Sequence, residues 1–161
     1  MPQSLAQKRA TDSLNNIELI RDLVSAERIQ NGSELFDEDL KEITSGNEYG
    51  KFNSYVQSLP ASIMMVGLGQ AVATLLASAK LSVSEEKRKP RHRAYKILYK
   101  ILSNWLCRNS TEAPYGDTQD VDLLDAITSH DERAYLKAQA EAMAYLEWLK
   151  KFSNAYLDTG G

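Results

Sequence analysis

Residues 52–79 read FNSYVQSLPASIMMVGLGQAVATLLASA, twenty-eight positions without a charged side chain. From Pro60 onward the apolar residues recur at helical spacing, and proline is favoured in a first helical turn, so we predict a helix that begins at Pro60. Its predicted apolar side contains Met64, Met65, Leu68, Val72, Leu75 and Leu76. A helix without a charged face is either central in its protein or covered by a partner.

Two other interpretations of this stretch are disfavoured. Asn53, Gln57 and Gln70 make it a poor membrane-spanning segment. The triplet Gly67-Leu68-Gly69 does not follow a strand pattern and lacks a third glycine, so a phosphate-binding turn is not indicated. Two glycines inside a helix cost about 1 kcal/mol each relative to alanine. We therefore expect a neighbouring backbone to approach closely at Gly67 and Gly69.

The rest of the chain also has helical periodicity. We predict helices over 5–30, 37–43, 90–108 and 120–128, and one or two helical turns over 49–59. Ser129 and Glu132 have the spacing of a capping box before the most regular helix. The apolar seam of that last helix is Tyr135, Ala138, Ala142, Tyr145, Leu149, Phe152 and Tyr156. The predicted fold is all-α, a compact bundle of about six helices with a long C-terminal helix.

Length and composition limit the class of protein further. A chain of 161 residues is expected to form one domain, here 1–161, with residues 158–161 as a disordered tail. The single cysteine, Cys107, excludes an intramolecular disulfide and fits a reducing compartment. Because residues 1–9 lack the apolar run of a signal peptide, we expect the protein in the cytoplasm.

Positive charge is concentrated directly after the uncharged stretch. Residues 80–100 contain eight of the nineteen Lys and Arg. Because Glu85 and Glu86 offset two of these positive charges, the segment has a net charge of +6. The whole chain has a net charge of −3, so the remaining residues carry −9. We predict a basic loop over 80–92 that leads into a helix with a basic stripe, a pattern that favours phosphate contact. The candidate RNA-binding residues are Lys87, Arg88, Lys89, Arg91, Arg93, Lys96 and Lys100.

An enzymatic site cannot be assembled from the reactive side chains. Cys107 lies at sevenfold spacing from Arg93 and Lys100, so it is expected to be partly exposed in a cationic environment that lowers its pKa, although an incidental thiol is favoured. His92 and His130 do not have metal-ligand spacing. The aspartates of residues 117–125 lack the calcium-loop pattern and suit a helix start. We expect no enzyme activity, no metal and no cofactor.

Two apolar motifs carry a resemblance to a known family. The first is Leu59-Pro60, Ile63, Gly67-Leu68-Gly69-Gln70, Leu75-Leu76 and Lys80. The second is Tyr135, Glu141-Ala142, Leu146-Glu147-Trp148-Leu149-Lys150-Lys151-Phe152 and Ala155. In order and separation, these motifs resemble the small subunit of type III-B CRISPR effector complexes, the Cmr complexes.

The resemblance implies a noncatalytic component of an RNA-guided assembly. Copies of such a subunit stack head to tail beside the subunits that hold the guide RNA, and they support the target RNA paired to it. The implied partners are other subunits, further copies of the chain, and the backbones of guide and target RNA, without a membrane. A monomeric isolated chain is compatible with this, since contacts between copies can form on the RNA scaffold alone.

One alternative from another class stays open at this point. The chain can be a helical protein–protein adaptor whose basic segment meets an acidic partner, with no RNA role. The chain has more apolar side chains than a small helical bundle needs for its core. This excess favours association with a partner under either hypothesis.

Overall fold

The computed structural model describes residues 2–21, 48–84, 87, 89–116 and 122–157. These ranges contain six helices: α1 Leu5–Arg21, α2 Glu48–Val66, α3 Leu68–Ser78, α4 Pro90–Leu106, α5 Leu123–Ser129 and α6 Glu132–Leu157. The all-α class and the long C-terminal helix are confirmed. The predicted end of the first helix, the helix over 37–43 and the tail over 158–161 lie outside the described residues.

The central helix is α4, which contacts α2, α3, α5 and α6. Pro90 is its first residue, as predicted, because a helix start needs no N–H there. The predicted apolar face is entirely buried: Ala94, Ile97, Leu98, Ile101, Leu102 and Trp105. Among the α4 side chains that the structure describes, only Arg91 and Asn104 are exposed. The helix is therefore covered on nearly every side rather than two-sided.

The uncharged stretch folds differently from the prediction at Pro60. That residue lies inside α2 and does not begin a helix. A proline in a helix interior removes one backbone hydrogen bond and costs about 3 kcal/mol. Burial of apolar side chains on both sides of the proline offsets this cost: Phe52, Val56, Leu59 and Ile63 are all buried. Tertiary packing thus decides the start of α2.

Gly67 separates α2 from α3, so the predicted continuous helix over 60–79 is wrong. Its φ of 86° and ψ of 162° belong to a region that only glycine adopts readily. The break changes which side chains point inward. Met64 and Met65 are 78% and 83% exposed, against the predicted apolar side. Leu68, Val72 and Leu75 are buried as predicted.

Two side chains of α6 hold this corner. The backbone N–H of Gly69 donates to the Tyr135 hydroxyl at 3.0 Å, and that of Leu68 donates to Gln139 Oε1 at 2.9 Å. The expected close approach at the glycines is thus made by side chains and not by a backbone. These two N–H groups at the start of α3 are already bonded, which supports a packing role over a phosphate-binding one.

The seam of α6 packs between α1 and α2. Ala138, Ala142, Tyr145 and Leu149 are fully buried, whereas Tyr156, the last predicted member, is 44% exposed. At 26 residues the helix is about 39 Å long and contacts α1 along one side and α2 along another. The last helix therefore packs lengthwise on two others.

A polar cluster joins α1 to α6 inside this contact. The Tyr145 hydroxyl donates to Asp12 Oδ2 at 2.6 Å and accepts from Asn16 Nδ2 at 3.0 Å. Nearby, the Arg9 guanidinium pairs with Glu141, a buried carboxylate. Burial is the largest influence on Asp12 and raises the pKa of its carboxyl above 3.8, against the opposing effect of the Tyr145 hydrogen bond.

The helix starts near the C-terminal end use different caps from those predicted. Asp131, not Ser129, caps α6, because Asp131 Oδ1 accepts from the N–H of Ala134 at 2.9 Å. The α5 start is capped from another helix: the Leu123 N–H donates to Ser103 Oγ at 3.1 Å. Side chains of α4 therefore fix where α5 begins.

Replacing Gly67 by alanine tests the corner. We expect Gly67→Ala to lower the free energy of unfolding by about 2–3 kcal/mol, because alanine is strained at this φ and ψ. The new Cβ would also lie 2.9 Å from the Tyr135 hydroxyl oxygen. Urea denaturation measures the change. Gly69→Ala is the control, since its Cβ makes ordinary contacts at 3.6 Å or more; equal losses in both variants would contradict the interpretation.

The raised pKa of Asp12 predicts a pH dependence. Folded protein keeps the proton at pH values where the unfolded chain has lost it, so ionisation of Asp12 lowers the free energy of unfolding as pH rises above 3.8. We expect the wild type to lose stability relative to Asp12→Asn as pH rises from there through the native pKa, and the difference then to level off. Denaturation at a series of pH values measures it; a difference that grows in favour of the wild type would contradict the assignment.

Candidate functional site

Three of the predicted cations are exposed where the chain enters α4. Lys87 and Lys89 lie in the segment before the helix, and Arg91 lies in its first turn. Arg88 is outside the described residues. Residues 90–92, which were assigned to the loop, belong to α4.

The rest of the predicted stripe is not an exposed stripe. Arg93 is only 6% exposed, and Lys96 and Lys100 are half-buried. The prediction placed all three on a solvent face because helical spacing separates them from the apolar residues. It failed because α4 contacts four other helices, so few of its side chains are left facing solvent. Exposure therefore distinguishes Lys87, Lys89 and Arg91 from the remaining predicted cations of α4, which are buried or half-buried.

His92 has a local structural role. The N–H of Lys89 donates to His92 Nδ1 at 3.2 Å, so the imidazole caps the start of α4. The ring is half-buried, and its Nδ1 is turned to the backbone.

The two tyrosines beside the predicted basic stripe, Tyr95 and Tyr99, pack within the protein. Tyr99 is buried, and its hydroxyl donates to Asp122 and accepts from the N–H of Leu124. The pKa of Tyr99 is raised mainly by burial and secondly by the hydrogen bond to Asp122. Tyr95 is half-buried and its ring stacks on Tyr55 with centroids 3.8 Å apart. Tyr99 therefore joins α4 to α5, and Tyr95 joins α4 to α2.

A second surface, which sequence reasoning missed, is a groove between α2, α3 and α4. Its volume is about 280 Å³, and the described residues that line it are all uncharged. The lining includes Tyr55, Ser58, Ser62, Met65, Thr74 and Tyr95. The sequence signal was the uncharged stretch itself, but without the break at Gly67 its exposed side could not be located.

Chemistry based on metal or thiolate finds little support in the described part of the chain. No group of three His, Cys, Asp or Glu side chains there could hold a metal ion. Cys107 is half-buried, and burial followed by the charge of Asp122 raises the pKa of its thiol to about 11. The prediction that cations lower this pKa is wrong, because desolvation of the thiol and the charge of the Asp122 carboxylate both raise it. Within the same residues, no helix is long and apolar enough to cross a membrane.

The raised pKa of Cys107 predicts an unreactive thiol. At pH 8 about one thiol in a thousand is ionised, since the pKa is about 11. We expect alkylation by iodoacetamide at least tenfold slower in folded protein than in urea-unfolded protein, with mass spectrometry as the measurement. Equal rates would show that the thiol is not buried and that its pKa is not raised.

The geometry is a cationic helix end beside an uncharged groove in an all-helical protein, and one comparison bears on it. The family model described as CRISPR-associated protein (Cas_Cmr5) matches residues 5–156. This range contains both apolar motifs, the cations of residues 87–100 and the groove. The chain therefore belongs to the Cas_Cmr5 family of CRISPR-associated proteins, and its resemblance to the small Cmr subunit is confirmed.

Proposed function

We propose that this protein is a noncatalytic subunit of a type III-B Cmr effector complex that supports target RNA paired to the guide RNA in the cytoplasm. The observation that carries the proposal is the exposure of Lys87, Lys89 and Arg91 at one end of α4, in a chain that belongs to a CRISPR-associated family. Cations neutralise phosphates and release counterions without reading bases. Sequence choice then comes from base pairing between the two RNA strands.

Burial refines which cations contact RNA. Lys87, Lys89 and Arg91 form the primary contact, and Arg88 joins them by its place in the sequence. Lys96 and Lys100 are half-buried and contribute from the edge. Arg93 is assigned to packing, because little of its guanidinium reaches solvent.

The subunit meets other proteins as well as RNA. Further copies of the chain stack along the assembly, and the exposed uncharged residues of α2 and α3 suit such contacts because no charge has to be desolvated. Small contacts of this kind form stably only on a scaffold, since a specific interface needs about 1,000 Å² or more. Target cutting belongs to other subunits.

The helical adaptor is the second candidate function. The same exposed cations would then pair with carboxylates of an acidic protein, and RNA would play no part. Family membership favours the RNA-guided assembly.

Salt dependence of RNA binding tests the proposal. For Lys87→Gln with Arg91→Gln, we expect weaker binding of single-stranded RNA and a log-affinity against log-salt slope that is shallower by about 1.4, or 0.7 per lost phosphate contact. Fluorescence anisotropy of a labelled oligonucleotide at several salt concentrations measures both quantities.

The matched control is Arg133→Gln with Lys137→Gln. It removes the same charges, one Lys and one Arg, from exposed positions on α6. We expect this control to keep the wild-type slope. Equal changes in the two variants would show that total charge and not this site matters. Absence of RNA binding in the wild type, together with capture of an acidic protein through Lys87 and Arg91, would favour the adaptor.

A further inference from the structure

The groove between α2, α3 and α4 has the features of a ligand site. It runs from the corner at Gly67, where Val66 and Ala71 line it, to the stacked rings of Tyr55 and Tyr95. Its volume of about 280 Å³ is below the roughly 300–1,000 Å³ of sites for drug-sized ligands. The occupant is therefore a small group.

The walls of the groove select an uncharged and flat occupant. Among the described residues, none that lines it is charged, so a charged group would lose its hydration without gaining a partner from them. The Tyr55 and Tyr95 rings lie nearly parallel, 12° apart, at one end. The Met65 thioether, whose side chain is 83% exposed, supplies a polarizable wall that suits aromatic rings.

Hydroxyl groups on the rim offer acceptors. Ser58 Oγ donates to the carbonyl of Tyr55 at 3.2 Å, and Thr74 Oγ1 donates to the carbonyl of Gln70 at 2.9 Å. Each hydroxyl proton is thus committed to its own helix, and the oxygen remains able to accept. N–H groups on the edge of a nucleobase are donors of the matching kind.

Three cations lie close in sequence to residues that line the groove. Lys51 precedes Tyr55 by four residues on α2, and Arg91 precedes Tyr95 by four residues on α4, so each cation lies beside one ring on its helix. Lys80 follows Ser78, another lining residue, by two positions. An uncharged slot flanked in sequence by cations fits a base whose phosphates lie outside it.

We propose that this groove binds one unpaired nucleobase of an RNA strand whose phosphates lie on Lys51, Lys80 and Arg91. The base extends the Tyr55–Tyr95 stack, and the hydroxyls of Ser58 and Thr74 accept from its edge. The inference rests on the proposed RNA contact and adds a site for a base to that contact with phosphates.

The test compares an oligoadenylate with a strand of the same length that lacks the bases, at one salt concentration, using the full chain. We expect the wild type to bind the intact strand about tenfold more tightly, the range for one base stacked on aromatic rings. Thr74→Leu, which fills the groove without changing charge, should bring this ratio near one and leave the affinity for the base-free strand unchanged.

Thr128→Leu is the matched control. Thr128 is exposed on α5, and its hydroxyl also donates to a carbonyl four residues earlier at 2.9 Å, as that of Thr74 does. This variant should keep the wild-type ratio. A second readout is the emission of 2-aminopurine in the strand, which should fall on binding to the wild type and to Thr128→Leu but not to Thr74→Leu.

Three results would overturn the base site. If the wild type binds both strands equally and in a salt-dependent way, the base site is excluded and the proposed phosphate contact is retained. Binding of neither strand would remove both. A base preference that survives in Thr74→Leu, while that variant loses a companion subunit in a pull-down, would assign the groove to a protein.

Discussion

The positive φ of Gly67 is the constraint on which the rest of the structure depends. It lets α3 turn back from α2, and the hydrogen bonds from Tyr135 and Gln139 fix the turn against α6. The two helices that result enclose part of α4 on their inner side. They leave Met64 and Met65 exposed, and together with α4 they form the groove. One backbone conformation thus positions both the core and the uncharged surface.

Much of the framework follows from local sequence. Pro90 marks the start of α4, and the apolar residues from Ala94 to Trp105 are buried as their spacing predicts. The seam of α6 is equally clear because a long helix repeats its pattern many times. The two apolar motifs point to the family independently of any fold argument.

Other features depend on tertiary contacts that no local pattern reveals. Pro60 reads as a helix start but lies within α2, because buried residues on either side outweigh its missing hydrogen bond. Arg93 reads as a surface cation but is covered by neighbouring helices. The sequence therefore predicted the exposed cations of the candidate site, Lys87, Lys89 and Arg91. It did not predict the groove, because the groove forms only where three helices meet.

The enclosure of α4 has a consequence for how this protein diverges among relatives. With Asn104 as the exposed position in the body of that helix, nearly every substitution there must satisfy several neighbouring helices at once. The outer residues of α3, such as Ala73 and Ala77, face no such demand within the subunit. Evolutionary drift should therefore be slow along α4, and any restraint found on the outside of α3 would have to originate in a binding partner.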